Sequence, residues 1–135
     1  MRKYQEEFDK RVAYIRAKLA EAHADGIVFG NSGGKDSALV GILCKAACDN
    51  TLGVIMPCAS SQNYGQDKDD GNALAEQFKI ETRTVDLTAV REAQLKALEG
   101  VATLNDMALT NIAPRLRMTT LYAIAAAENR LVAGT

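Results

Sequence analysis

The residues with the most chemistry per position fall in one run, Gly30-Asn31-Ser32-Gly33-Gly34-Lys35-Asp36-Ser37. Consecutive small residues let backbone N–H groups converge on an anion, and at a helix amino terminus the dipole adds positive potential. Ser32 and Ser37 contribute hydroxyls and Lys35 a point charge, donors of the kind that hold phosphate oxygens. Asp36 would repel a bare phosphate, but it fits if Mg²⁺ accompanies the phosphate. The alternative is structural: a glycine-rich turn in which Asp36 or Ser37 caps an ordinary helix.

Three better-known motifs fit less well. A Walker A loop asks for one more residue between Gly30 and Lys35, and for Ser or Thr where Asp36 stands. A dinucleotide fingerprint needs G-x-G-x-x-G and an acidic residue closing the second strand, and neither is found. Gly30-x-Ser32-x-Gly34 matches a nucleophile elbow, yet that chemistry needs an acid and then a histidine downstream of the serine, and the one histidine, His23, lies upstream. At the end of the first helix, His23 suits the carboxyl-end dipole. Cys44 and Cys48, one helical turn apart, read as small core residues rather than as half of a metal site.

The glycine run needs a strand before it and a helix after it. Ile27, Val28 and Phe29 are β-prone, predicting a strand over 26–31, and Leu39, Val40, Ile42 and Leu43 recur at helical spacing over 36–48. Tyr4, Phe8, Val12, Ile15 and Leu19 give residues 4–22 one apolar stripe and hence a helix. Thr51–Met56, halted by Pro57, reads as a second strand, Ile80–Leu87 as a third and "LVAG" as a fourth. "DKDDGNALAEQF" reads as a helix, as does the segment capped by Thr88. Residues 99–114 look least regular, and "RLRMTTLYAIAAAENR" is helical again, with Pro114 in its first turn. Such alternation predicts an α/β fold, a doubly wound, mostly parallel sheet with helices on both faces and ligands at the carboxyl ends of its strands.

Composition narrows the class. At 135 residues and 47% hydrophobic, the chain has the size and core of one domain, spanning 1–135. A net charge of −1 gives no field for nucleic acid or an anionic membrane, and no apolar run approaches the roughly 18 residues of a membrane span. Three cysteines without CxxC fit a reducing compartment, so a cytoplasmic protein is expected. Arg115 and Arg117, placed in a first helical turn, would be disfavoured by the dipole unless an anion lay nearby; a surface ion pair is the plainer reading of either one.

Ser32-Gly33-Gly34-Lys35-Asp36-Ser37 resembles the PP-loop of ATP pyrophosphatases, which cleave ATP between its α- and β-phosphates and adenylate a substrate oxygen. "NIAPRLRMTTLYAIAAAENRLVAGT", with "MPCASS" and "VDLT" before it, is similar to ammonia-dependent NAD synthetases within that superfamily. The resemblance covers residues 26–135 and implies an adenine nucleotide α-hydrolase-like fold. It implies a ligase that uses ATP, Mg²⁺ and ammonia to amidate deamido-NAD, acting as a homodimer. It places ATP on Gly30, Asn31, Ser32, Gly33, Gly34, Lys35, Asp36, Ser37 and Thr135, the metal on Asp36, and deamido-NAD on Arg115. Lys35 and Asp36 would be the catalytic residues and Arg117 a structural one. The family's second metal ligand follows the Gly-Thr, where this sequence stops, so the sheet is expected to be incomplete at its carboxyl end and the chain alone inactive. Another adenylating PP-loop enzyme, for example one acting on tRNA, and a non-catalytic ATP-binding module are the alternatives.

Overall fold

The computed structural model describes residues 2–58, 73 and 76–134. Helix α1 (Arg2–Ala22) is followed by β1 (Gly26–Gly30), α2 (Lys35–Ala47), β2 (Thr51–Ile55), β3 (Glu81–Thr84), α3 (Thr88–Ala97), α4 (Asp106–Glu128) and β4 (Arg130–Ala133). The four strands form one parallel sheet in the order β3-β2-β1-β4. From β1 the chain works outward to β3, then crosses back to lay β4 on the other side of β1. The direction of winding therefore reverses at β1, the position where sheets of this kind open a crevice.

β1 and β2 lie inside the sheet, and both carry near-continuous apolar runs because helices cover both faces. Val28 packs with Leu52, Val54, Leu121 and Ala125 on the α4 face. The next residue, Phe29, points the other way and packs with Ile80 and Val40 on the α2 face. Ile27, Val28, Phe29, Leu52 and Val54 are almost wholly removed from water, each such side chain contributing on the order of 1.5–3 kcal/mol. Helix α2 lies very close to the sheet at Gly41, where an added Cβ would come within 2.7 Å of Phe29 Cζ. Cys44 belongs to this core, and burial, with a smaller effect of Cys48, pushes its thiol up to about 11.

Several local expectations change. Helix α4 begins at Asp106, eight residues before Pro114, because Asn105 caps it: its Oδ1 accepts from Ala108 N at 2.9 Å. Pro114 is thus internal, removing one rung of the helical ladder without ending the helix. Arg115 and Arg117 lie mid-helix, where the end-dipole argument has no force. Thr88 is the first residue of α3 rather than its cap; Asp86 accepts from Thr88 N at 2.9 Å, and that bond holds the Asp86 carboxyl below its usual range. On α1, Val12 is buried and Phe8, Ile15 and Leu19 are half-buried, but Tyr4 is 82% exposed because the helix overruns its contact with α2. α1 ends at Ala22, and His23 follows with φ of 53°. The expected "DKDDGNALAEQF" helix falls mostly outside the described residues. Among the described residues no helix is long and apolar enough to cross a membrane.

Candidate functional site

The site grows from the end of β1. Asn31 N donates to Val54 O at 2.8 Å, which extends the β1–β2 ladder one residue beyond the strand. Asn31 is 2% exposed, and its Oδ1 accepts from Gly33 N at 3.2 Å. Gly33 turns the chain with φ of +83°, a conformation that costs a residue with a Cβ about 1–2 kcal/mol. Gly34 N donates to Ser32 Oγ at 3.3 Å, and Ser37 Oγ donates to Gly34 O at 3.1 Å.

Helix α2 starts at Lys35 with Gly34 as its N-cap, so no side chain caps it. Its first intrahelical bond comes from Ala38 N to Gly34 O at 3.0 Å. The N–H groups of Lys35, Asp36 and Ser37 precede that bond and have no acceptor within the helix. Together with the dipole they make a donor set suited to an anion.

Beside this turn a cavity of about 590 Å³ opens at the carboxyl ends of β1, β2 and β4. Gly30, Asn31, Ser32, Asp36 and Ser37 form one wall. Met56, Pro57 and Cys58 form a second, and Cys58 is steadied by an Sγ contact of 3.7 Å to Leu87 O. Helix α4 supplies Pro114, Arg117, Met118 and Leu121, and Ala133 and Gly134 close the β4 side. Asp36 and Arg117 are the only charged residues among the described ones that line it.

Of the residues singled out in the sequence, the cavity gathers Gly30, Asn31, Ser32, Asp36 and Ser37. Gly33, Gly34 and the exposed Lys35 belong to the same turn but are not among the lining residues. Arg115 is exposed and lies outside the cavity. Thr135 lies outside the described residues. Arg117, by contrast, reaches in, and its Nε donates to Met56 O at 3.0 Å. The signal for it was present in the sequence. Pro114, Arg117, Met118 and Leu121 are spaced i, i+3, i+4, i+7 and share one helical face, whereas Arg115 belongs to another.

Asp36 is the residue that could hold a metal. Among the described residues no three His, Cys, Asp or Glu side chains converge, so a closed protein cage is not what these residues offer. One carboxylate beside an anion cradle instead suits Mg²⁺, which takes one or two carboxylates, waters and the oxygens of a bound phosphate.

A model of the NAD synthase family matches residues 7–135. A protein of Carboxydothermus hydrogenoformans named NH(3)-dependent NAD(+) synthetase is 42% identical, over 98% of this chain and 54% of its own length. A namesake from Mycoplasmopsis pulmonis is 41% identical, over 92% of this chain and 47% of its own length. The chain therefore spans about half the length of the curated relatives it matches. Among solved structures, an NH3-dependent NAD synthetase of Campylobacter jejuni superposes with a TM-score of 0.88 at 32% identity, covering 98% of this chain and 56% of that one. An NMN synthetase of Francisella tularensis gives 0.86 at 32% identity, covering 95% and 52%.

Proposed function

The chain belongs to the NAD synthase family, and from that premise we propose that its cavity takes MgATP for the amidation of deamido-NAD by ammonia. The observation that carries this reading is the meeting, in one cavity at the carboxyl edge of the sheet, of an uncapped helix start with Asp36.

In the proposed reaction the nicotinic acid carboxylate attacks the α-phosphorus of ATP. The bond to the β-phosphate oxygen breaks, and pyrophosphate leaves with both electrons of that bond. Ammonia then adds to the acyl carbon of the adenylate, loses a proton to solvent, and AMP departs with the electrons of the acyl–oxygen bond, leaving the amide. The cradle of Gly30 to Ser37 binds the β- and γ-phosphates through first-turn N–H groups and the Ser32 and Ser37 hydroxyls, stabilising the charge that collects there. Lys35 reaches the same oxygens from the exposed side of the turn. Asp36 would hold Mg²⁺, which when bound neutralises charge on the phosphate oxygens. Thr135 is proposed to touch ATP, and Arg115 to meet the diphosphate of deamido-NAD.

The position of Arg115 favours a substrate that approaches α4 from outside. It shares an exposed face of that helix with Met107 and Tyr122, both large apolar residues in solvent. These positions fall on one side of the helix, which supports the homodimer expected of the family. Free thiols at Cys44, Cys48 and Cys58 agree with a cytoplasmic location.

The test is to supply protein of this sequence with MgATP, ammonia and either deamido-NAD or nicotinate mononucleotide, and to measure pyrophosphate and amide. Mononucleotide is the second reading, favoured by the likeness to the Francisella NMN synthetase. Binding of MgATP is expected, and any pyrophosphate release is expected to depend on deamido-NAD. Release that depends only on the mononucleotide would transfer the proposal to that substrate, and no binding of ATP would end it.

A further inference from the structure

Arg117 is the one cation lining the cavity among the described residues, and it is half-buried there. Its Nε is engaged with Met56 O at 3.0 Å, just where Pro57 turns the chain out of β2. Because guanidinium donors lie in a rigid planar fork, that bond fixes the orientation of the two terminal amino groups. Among the described residues, no carboxylate pairs with Arg117 and no acceptor other than the Met56 carbonyl is bonded to it. Arg83 and Arg130 show the contrast, since both are ion-paired with Glu128 and Arg83 also with Glu81.

A cation held beside Met118, Leu121 and Pro57, with no carboxylate among the described residues bonded to it, is costly unless something anionic comes to it. We infer that Arg117 is an anion-binding residue whose terminal amino groups take a phosphoryl oxygen of the ligand from the α4 side, while the Gly30–Ser37 turn holds it from the α2 side. This rests on the reading of the cavity as a phosphate site, and gives Arg117 more than the structural role that its bond to Met56 alone would supply. It also divides the two arginines: Arg117 serves the ligand inside the cavity, and Arg115 faces outward.

Calorimetry on this chain with tripolyphosphate, MgATP and adenosine tests the inference. Arg117→Met keeps much of the stem but removes the charge, and is expected to weaken tripolyphosphate and MgATP by about tenfold or more while leaving adenosine unchanged. Unchanged tripolyphosphate affinity, or equal losses for ATP and adenosine, would overturn it. Should the variant not fold, phenylglyoxal labelling of the original chain replaces it. Tripolyphosphate is expected to shield Arg117 from modification, and equal labelling with and without the anion would overturn the inference. If tripolyphosphate binds through Arg117 but ATP does not, the nucleotide reading fails and the arginine's role stands. Titration with deamido-NAD in place of ATP then identifies which ligand supplies the phosphate.

Discussion

The Oγ atoms of Ser32 and Ser37 lie 3.1 Å apart across the glycine turn. Ser37 Oγ–H donates to Gly34 O, so the proton between the two hydroxyls belongs to Ser32, whose oxygen in turn accepts from Gly34 N. The three bonds close on themselves and hold the turn in shape without a ligand. Ser37→Ala breaks two of them, although Gly34 O keeps its bond from Ala38 N. We predict a loss of about 1 kcal/mol in stability together with weaker tripolyphosphate binding, read by denaturant unfolding and calorimetry. Unchanged anion affinity in a destabilised variant would show that Ser37 serves the fold alone.

Asp36→Asn separates the metal from the cradle. An amide is a poorer ligand for Mg²⁺ than a carboxylate, but it also removes a negative charge from beside the phosphate. Without Mg²⁺ the variant should bind ATP more tightly than the original chain, and adding Mg²⁺ should help it far less. Titrations with Mg²⁺ and with EDTA decide the matter; an identical Mg²⁺ dependence in both proteins would remove Asp36 from the metal site.

Gly41→Ala tests whether the seating of α2 on the sheet sets the cradle. Alanine gains about 1 kcal/mol in helix propensity, but its Cβ would stand 2.7 Å from Cζ of Phe29, which is wholly buried and has no room to yield. Overpacking of this kind costs roughly 1–3 kcal/mol. The net expectation is a loss of about 1 kcal/mol, with weaker anion binding as the helix start is displaced. A variant more stable than the original would mean that Phe29 repacks easily.

The sheet and the glycine turn were legible because their signals are local. Buried strands read as apolar runs, and Gly33 supplies the positive φ of the turn between β1 and α2. The start of α4 was obscured by two competing signals. Pro114 is a common first-turn residue, yet Asn105, followed by Asp106, is a sound cap nine positions earlier, and tertiary contact through Leu121 and Ala125 carries the helix past the proline. The spacing of Pro114, Arg117, Met118 and Leu121 separates Arg117 from Arg115 wherever the helix begins; what the misplaced boundary did was to put both arginines in a first turn, where the dipole argument treats them alike. The bond from Arg117 to Met56 joins residues 61 positions apart, and no local pattern announces it.

Tyr122, 57% exposed on the outer face of α4, offers a test of self-association. In the proposed dimer, Tyr122→Glu places a charge on the side of α4 shared with Met107 and Arg115 and should raise the dissociation constant by at least about tenfold, measured by sedimentation equilibrium. Monomeric behaviour of the original chain at every accessible concentration would remove this face as a dimer contact.

Glu128 ties the far end of α4 to two strands. Arg83 grips its carboxylate through both terminal nitrogens, one at 3.1 Å, and Arg130 Nε bonds to it at 3.1 Å. Arg130 in turn donates to Ile27 O of β1 and to Asn50 O just before β2, so the cluster links β3, β4, β1 and the approach to β2 to the helix that carries Arg117. The bond from Arg83, then that from Arg130, holds the Glu128 carboxyl below the usual glutamate range. A group whose folded value is depressed contributes stability that is fully present above its unfolded value, about 4.3, and is lost as pH falls through the lower folded value. Glu128→Gln removes the charge at every pH. The stability difference between the original chain and this variant should therefore be constant near neutrality and close as pH falls below about 4. Urea unfolding of both proteins between neutral and acid pH measures it. A difference that stays constant or grows toward acid would show that the Arg83–Glu128–Arg130 cluster does not stabilise the folded chain through the carboxylate's charge.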